Sequence, residues 1–357
     1  MENENTGKSV VLSLPAAEAF SHQVDLLLHR VKMPRHQVDK FADLLADTTR
    51  VLREKWPECK LVPFGSVPMG LATIYSDIDY HVYLPDYVTT TPHNRVLTGF
   101  KLLKQHPEMF DNVKTILNAS VPVITFRHKA TKLYSDLIFN DFAGEKETYL
   151  VKYILSFDHR LYPVLIIVKF WSKIHKLNTN GMTNFAWILM VTFYFQQANI
   201  LPPILKLQVP HKKLFIDNWN VAYEKKYEDL YYNGNPDSVY QLLGKFFTYF
   251  SKFDFENYVI STFTASSYKK EIFRNLERVP ELLELYKFNV KNNITEALSL
   301  ETLCIPHPLI HNKNACSKIL RSHAMKIIKY IQKAARLFRE VGENNYLSAI
   351  LTMSVEN

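Results

Sequence analysis

The spacing of apolar residues changes once along this chain, and this change restricts the fold more than any other feature. From Leu61 onward, short β-rich segments are separated by Gly and Pro, as in KLVPFGS, DIDYHVYL, VPVITF and LYSDLIF. After about residue 145 the apolar residues recur at helical intervals instead. Because strands are grouped in one region and helices in another, the pattern predicts an α+β chain.

The length of 357 residues is sufficient for two hydrophobic cores. We therefore expect a two-lobed chain with a cleft between the lobes. Helical spacing before residue 55 predicts N-terminal helices, which we assign to residues 1–45 and expect to pack on the helical lobe. A small mixed β-sheet is assigned to residues 46–147, a mainly helical lobe with a long helix over 313–341 to residues 148–345, and a tail to residues 346–357.

The charge of the chain favours polyanionic partners. Lys and Arg number 43 and Asp and Glu number 35, which gives a net charge of +8. Such a field attracts nucleic acid, although a basic chain can also use its charge only for solubility.

Cysteine spacing and hydropathy restrict the location of the protein. The three cysteines, Cys59, Cys304 and Cys316, have no zinc-site spacing and are typical of a reducing compartment. The N-terminus has no basic segment followed by an apolar core, and the apolar run from Phe185 to Phe195 is shorter than a membrane span. We expect a cytoplasmic protein without membrane contact, with a nuclear location left open.

The segment FGSVPMGLATIYSDIDYHVYL contains the pattern that most directly indicates chemistry. Asp77 and Asp79 are two residues apart in a strand-like run, so alternation places both carboxylates on one face. Gly65 and Ser66 precede them, and a glycine there allows the backbone to approach phosphates closely. A third carboxylate, Asp136, lies in another β-rich run. A DxD pair alone is often a solvated turn, but this combination predicts a two-metal nucleotide site.

This arrangement of Gly-Ser, DID and a later strand Asp resembles the DNA polymerase β-like nucleotidyltransferase superfamily. More narrowly, the chain is similar to cytoplasmic-type poly(A) polymerases and terminal uridylyltransferases. The similarity extends from about Leu61 to Lys326 and includes VPVITF, DHRLYPVLIIVKFWSK, DNWNVAYEK, LLGKFFTYFSKFDF and HPLIHN. It implies a nucleotidyltransferase catalytic domain over 46–147, a helical central (PAP-associated) domain over 148–345, and an active-site cleft between them.

The resemblance also implies an activity and its cofactors. It implies a template-independent RNA 3′-terminal nucleotidyltransferase that transfers a nucleotide from UTP to an RNA 3′ hydroxyl and releases pyrophosphate. Asp77, Asp79 and Asp136 would hold two Mg²⁺ or Mn²⁺ ions, and Asp136 would also draw the proton from the hydroxyl. A poly(A) polymerase that uses ATP, or a catalytically weak RNA-binding or scaffold relative, stays open as an alternative.

Nucleotide contacts follow from the same resemblance. Lys169 and Lys173 match the lysines that bind the triphosphate, and their spacing places them on one helix face. Thr183, Asn184 and Phe185 stand where relatives have Ser-Ser-Tyr, and Phe185 keeps a ring on which a base can stack.

The remaining contacts depart from the pattern of the family. Glu147 or Thr148 occupies the position of an Asn that reads the ribose. His311, followed by Asn312, matches the histidine that reads uracil, but Pro306 and His307 replace an acidic pair.

RNA contacts have a weaker sequence signal. Arg127, Lys129 and Lys132 lie between two strands of the catalytic domain, where they could follow an RNA backbone. The chain has no RNA-recognition sheet motif or zinc finger. We therefore expect a protein adaptor to supply RNA specificity.

Overall fold

The computed structural model describes residues 18–117, 121–139, 142–208, 213–223 and 234–355. The chain divides into two compact units. The sheet unit comprises Val31–Lys152, and the helical unit comprises Tyr153–Asn357 together with Met1–Arg30. The first 17 residues of the predicted N-terminal region and the last two of the predicted tail lie outside the described residues.

In the sheet unit, the described residues form helices that alternate with five strands. In chain order its elements are α1 (Phe20–Val31, which begins in the helical unit), α2 (Arg35–Val38), α3 (Phe41–Arg53), β1 (Lys60–Phe64), α4 (Ser66–Met69), β2 (Ile78–Tyr83), α5 (Pro92–Gln105), β3 (Phe110–Ile116), β4 (Val123–His128), β5 (Tyr134–Phe139) and α6 (Phe142–Ile154, which ends in the helical unit).

The five strands form one mixed sheet in the order β1-β2-β5-β4-β3. Strands β2 and β5 are parallel, and the other neighbouring pairs are antiparallel. Alternation along β2 buries Ile78, Tyr80 and Val82 in the core of the unit. The opposite face of β2 therefore carries the polar positions 79, 81 and 83.

Helices α3 and α5 supply the helical side of this core. Leu44 and Val51 of α3, with Val96 and Leu103 of α5, are buried in the same cluster as the sheet residues. This packing explains why the boundary between the units lies after Arg30 rather than at residue 45. The end of α1 that lies in the helical unit does pack there, since the Phe20 ring lies 5.2 Å from that of Tyr240.

The described residues of the helical unit form helices of widely different length and two short hairpins. Its further elements are α7 (Leu161–Ile174), α8 (Asn184–Gln197), β6 (Phe215–Ile216), β7 (Trp219–Asn220), α9 (Val239–Ser251), β8 (Tyr258–Ser261), β9 (Ser266–Lys269), α10 (Lys270–Arg274), α11 (Glu284–Lys291), α12 (Arg321–Glu340) and α13 (Glu343–Thr352), with short 3₁₀ turns at Ile204–Leu207, Leu276–Arg278 and Glu281–Leu283. Among the described residues, no helix combines the length and hydropathy needed to cross a bilayer.

Aromatic packing joins the central helices of this unit. Trp171 of α7 lies edge-on to Trp187 of α8, with ring centroids 5.5 Å apart, and 4.9 Å from Phe247 of α9. All three side chains are fully buried. The continuous apolar sequences of α7 and α8 thus reflect helices surrounded by other helices, as predicted.

Three features of the helical unit differ from the sequence prediction. The two hairpins were not predicted, because strands of two to four residues are too short to show an alternating pattern; Asp217 and Asn218 turn the first with positive φ angles of 47° and 64°. The long helix begins at Arg321 rather than at residue 313. The predicted tail forms most of α13, where Tyr346 and Ile350 are buried.

Gly244 provides a test of the contact between α9 and α12. A Cβ atom at Gly244 would lie 2.1 Å from two atoms of the Phe338 ring, which is held between Tyr240 and Tyr346. Gly244→Ala should therefore lower the free energy of unfolding by about 1 to 3 kcal/mol through overpacking. Urea unfolding measures the change.

Gly342→Ala is the matched control, because a Cβ there meets no atom within 4 Å and φ is −65°. Its free energy of unfolding should stay within about 1 kcal/mol of the unsubstituted protein. Equal stability of the two variants would show that α9 and α12 do not pack as described.

Candidate active site

Two carboxylates of the sheet unit lie directly opposite each other on neighbouring strands. Asp79 of β2 is the register partner of Asp136 of β5. Because paired residues of adjacent strands project to the same side of a sheet, both side chains lie on one face. Asp77 immediately precedes β2 and is two residues before Asp79, so alternation directs it to the same face. The sheet thus brings together the three acidic residues that the sequence singled out.

The electrostatics of Asp136 indicate that these carboxylates influence each other. Burial raises the pKa of Asp136 to about 6, the negative charge of Asp77 adds to this rise, and the hydroxyl of Thr125 opposes it. Thr125 is the register partner of Asp136 on the other neighbouring strand, β4. Ionisation of Asp136 therefore costs free energy in the protein alone, and a cation beside it would offset that cost.

The donor atoms on this face suit a hard divalent cation. Carboxylate oxygens are the ligands that Mg²⁺ and Mn²⁺ prefer. In the part of the chain that the structure describes, no group of three or more Asp, Glu, His or Cys side chains is placed to hold a metal ion. Since Mg²⁺ is commonly held by one or two carboxylates together with substrate phosphates, the residues fit ions that bind with a nucleoside triphosphate.

The predicted Gly-Ser turn lies against the Asp79 carboxylate. Gly65 has φ 73° and ψ −148°, a conformation that side chains with a Cβ rarely adopt. A Cβ at Gly65 would lie 2.4 Å from Oδ2 of Asp79. Ser66 follows as the first residue of α4. The position therefore requires glycine, both for the turn and for the close approach of the carboxylate.

Thr148 lies beneath this turn. Its side chain is 1% exposed, and its Oγ1 accepts a hydrogen bond from the Gly65 N–H at 2.9 Å. The sequence placed Glu147 or Thr148 at a ribose contact. The structure makes Thr148 part of the interior of the sheet unit, whereas Glu147 is half-buried.

The two predicted phosphate-binding lysines lie one turn apart in α7 of the helical unit. Lys169 is 7% exposed, whereas Lys173 is exposed near the end of the helix. Both lie on one side of α7, as their spacing predicts. Lys173 is the more accessible of the two.

Residues 183–185 lie at the start of α8 and differ in their contacts and exposure. Thr183 is the N-cap, and its Oγ1 accepts a hydrogen bond from the Ala186 N–H at 3.0 Å. Asn184 is exposed, and Phe185 is half-buried. The Phe185 ring centroid lies 5.4 Å from that of His307. Thr183 therefore has a capping role, and Phe185 keeps an accessible part of its ring.

The structure does not bring His311 to Phe185. The His311 ring lies 4.1 Å from the ring of Phe263 and 5.3 Å from that of Trp219, and the residue is 7% exposed. Burial lowers the pKa of His311 to about 3, so its imidazole is neutral. The His311 ring is thus packed against two aromatic rings of the helical unit.

His307, which the sequence had noted only as a departure from the family, lies beside Phe185 instead. Its Nδ1 accepts hydrogen bonds from the backbone N–H groups of Leu309 and Ile310 at 3.1 and 3.0 Å. Because Nδ1 is an acceptor, a neutral His307 carries its hydrogen on Nε2. No sequence signal identified this residue, since an isolated histidine in a loop is usually a surface residue.

One of the three residues predicted to contact RNA is already engaged within the sheet. Arg127 forms a two-point ion pair with Asp111, with Nε–Oδ1 and Nη2–Oδ2 distances of 2.8 and 2.6 Å. Its charge is therefore compensated by the neighbouring strand. Lys129 and Lys132 are exposed in the turn between β4 and β5 and present their ammonium groups to solvent.

Comparisons with known proteins agree with this geometry. Residues 20–156 match the family described as poly(A) RNA polymerase, mitochondrial-like, central palm domain. The chain is 23% identical over 290 residues to the speckle targeted PIP5K1A-regulated poly(A) polymerase of Danio rerio. This alignment covers 69% of this chain and 36% of that protein. The chain is 25% identical over 272 residues to terminal uridylyltransferase 4 of Mus musculus, which covers 69% and 16%, respectively. The chain thus spans less than half of the length of either relative.

Solved structures show the same fold. The chain superposes on mtPAP in complex with ATPγS with a TM-score of 0.80 at 17% identity, covering 96% of this chain and 74% of that one. It superposes on the Cid1 poly(U) polymerase bound to MgGTP with a TM-score of 0.74 at 21% identity, covering 94% and 99%. The predicted resemblance to the poly(A) polymerase and terminal uridylyltransferase branch, and the α+β class, are confirmed.

The raised pKa of Asp136 predicts a dependence of stability on pH. The folded chain binds this proton more tightly than the unfolded chain, whose carboxyl has its ordinary pKa of 3.8, so the contribution of Asp136 to stability falls as the pH rises through about 6. In metal-free buffer, Asp136→Asn should exceed the wild type in unfolding free energy above that pH by at most about 3 kcal/mol. Urea unfolding between about pH 4 and 8 should show the difference vanish at the acidic end.

Asp111→Asn is a control of opposite sign, because the hydrogen bond from Arg127 lowers the pKa of Asp111. This variant should be less stable than the wild type at neutral pH, and its deficit should disappear as the pH falls. An Asp136→Asn protein that is less stable than the wild type at neutral pH would contradict the described environment of Asp136.

Proposed function

We propose that this chain, related in sequence and fold to poly(A) polymerases and terminal uridylyltransferases, is a template-independent RNA 3′-terminal nucleotidyltransferase. The observation that carries the proposal is the register pairing of Asp79 with Asp136, with Asp77 on the same face and Gly65 against the Asp79 carboxylate. Two-metal transfer of a nucleotide needs this convergence of acidic ligands beside a backbone turn that can approach phosphates.

In the proposed reaction, the RNA 3′ oxygen forms a bond to the α-phosphorus of the triphosphate while the bond to pyrophosphate breaks. Two bound divalent ions would supply Lewis-acid stabilisation of the attacking and leaving oxygens. Asp77, Asp79 and Asp136 would hold these ions. Asp136, whose pKa is raised by burial, would draw the proton from the 3′ hydroxyl.

We propose UTP as the preferred nucleotide and ATP as the second candidate. Similarity to uridylyltransferases in the HPLIHN segment favours UTP, while the relatives include enzymes named for both nucleotides. Phe185 offers a partly accessible ring face on which a base would stack, with the His307 ring centroid 5.4 Å from its own. The loop from Pro306 to Asn312 would therefore decide base preference, with His311 acting from within its aromatic enclosure.

The proposed partners and location rest on exposed lysines and on the state of the cysteines. Lys129 and Lys132 would contact the RNA backbone, and a protein adaptor would supply RNA specificity. All three cysteines are free thiols, which suits a cytoplasmic location. A catalytically weak scaffold is the alternative class, and the three acidic residues on one face favour an enzyme over it.

Removal of the acidic residues tests the activity. Asp79→Ala and Asp136→Ala should each reduce extension of a labelled RNA by about 1,000-fold or more, because a two-metal site loses a ligand that no neighbouring side chain replaces. The assay supplies Mg²⁺ or Mn²⁺ and each of the four nucleoside triphosphates separately, then UTP and ATP in competition.

Asp86 is an exposed carboxylate of the same unit. Asp86→Asn is therefore the matched control and should retain full activity. Extension by the Asp136→Ala variant at the wild-type rate would refute the assigned site. A strong preference of the wild type for ATP would overturn the uridylyl assignment and leave the nucleotidyltransferase assignment in place.

Lys173 tests the placement of the triphosphate. Lys173→Ala should raise the apparent KM for UTP by about 10-fold, and that for ATP by the same factor, because a point charge on phosphates acts on every nucleotide equally. Steady-state extension kinetics measure both KM values. Lys291 is an exposed lysine of α11, so Lys291→Ala is the control and should leave both values unchanged. A change in the ratio of the KM values for UTP and ATP in Lys173→Ala would contradict this placement of the triphosphate.

A further inference from the structure

Two hydrogen bonds fix the hydroxyl of Thr148 between α6 and the Gly65 turn. Its Oγ1 lies 2.9 Å from the Gly65 nitrogen and 2.7 Å from the Gly144 carbonyl oxygen. An amide can only donate, so the hydroxyl accepts from Gly65 and its own hydrogen goes to Gly144. With 1% of the side chain exposed, water does not compete for these bonds. The Gly65 amide thus has one defined acceptor, the Thr148 hydroxyl, which is shielded from solvent.

Helix α6 reaches the turn because Gly144 has no side chain. A Cβ at Gly144 would lie 2.8 Å from Nε2 of His81 and 3.6 Å from Cδ2 of Phe64. His81 is two residues after Asp79 in β2, so the first turn of α6 lies directly over the sheet face that carries the acidic residues. Thr148 is one helical turn further along and therefore faces the same surface.

Asp79 confines the turn from its other side. The Asp79 Oδ2 atom occupies the space that a Gly65 side chain would fill. Gly65 is consequently enclosed between two groups. The Thr148 hydroxyl accepts a hydrogen bond from its N–H, and the Asp79 carboxylate lies against its Cα atom. Because Gly65 has many accessible backbone conformations, these two contacts select the one that leads into Ser66.

We propose that Thr148 is a positioning residue for nucleotide binding. By holding the Gly65 N–H, it orients the Gly65-Ser66 turn toward the triphosphate, and it does so without touching the nucleotide. The inference rests on the proposed function of the chain. It assigns to Thr148 a task different from the ribose contact that its sequence position implies.

Thr148→Val and Thr148→Ser test this role. Valine keeps the shape but leaves the buried Gly65 amide without its acceptor, so the apparent KM for UTP and for ATP should rise by about 5- to 50-fold, while kcat changes less than about threefold. Serine restores the hydroxyl and should return both KM values to within about threefold of the wild type. Thr131→Val is the matched control, since Thr131 is also buried and hydrogen-bonded in the sheet unit.

The control variant should lose stability but keep the wild-type KM. A purely structural role of Thr148 would instead lower the unfolding midpoint of Thr148→Val and leave KM unchanged, which would overturn the inference.

Amide hydrogen exchange separates this inference from the proposed function. The Gly65 amide should exchange about 10-fold or more faster in Thr148→Val than in the wild type, and as slowly as the wild type in Thr148→Ser and Thr131→Val. Unchanged exchange at Gly65 in Thr148→Val would overturn the inference, whatever the activity of the chain. If the wild type fails to extend RNA with any of the four nucleoside triphosphates, the proposed function is overturned. The exchange result would still decide whether Thr148 holds the Gly65 turn.

Discussion

The parallel register of β2 and β5 is the constraint on which the site depends. It places Asp79 opposite Asp136 and so brings two like charges together on one sheet face. The same alternation places Ile78, Tyr80 and Val82 in the core. A shift of one residue would bury the carboxylates and expose the apolar side chains, so the free energy of the core holds Asp136 at a position where burial, together with the charge of Asp77, raises its pKa.

Close backbone approach is the second requirement of this face. Gly65 admits the Asp79 carboxylate, and Gly144 admits helix α6 over His81. Both glycines act through the absence of a Cβ, and Thr148 then connects the helix to the turn. The polar face of the sheet is thereby organised by backbone contacts, which hold the carboxylates and the Gly65 turn at short range.

The helical unit departs from the family pattern at the residues that would surround a base. His311 lies among Phe263 and Trp219, whereas His307 lies beside Phe185. Both residues are nearly buried, with 7% of His311 and 8% of His307 exposed. The histidine that lies beside Phe185 is thus a different residue from the one that the sequence motif indicates.

The amino-acid sequence by itself determined the α+β class, strands β1, β2, β4 and β5 of the sheet, the buried helices and the shared face of Asp77 and Asp79, because these follow from periods of two and 3.6 residues along the chain. It also singled out Gly65 and Asp136. Only the tertiary structure decided that Asp136 is the register partner of Asp79 and that Arg127 forms an ion pair with Asp111. It also decided that His311 packs against Phe263 and that the Thr148 hydroxyl holds the Gly65 turn. Each of these depends on contacts between residues distant in sequence, and local periodicity carries no information about such contacts.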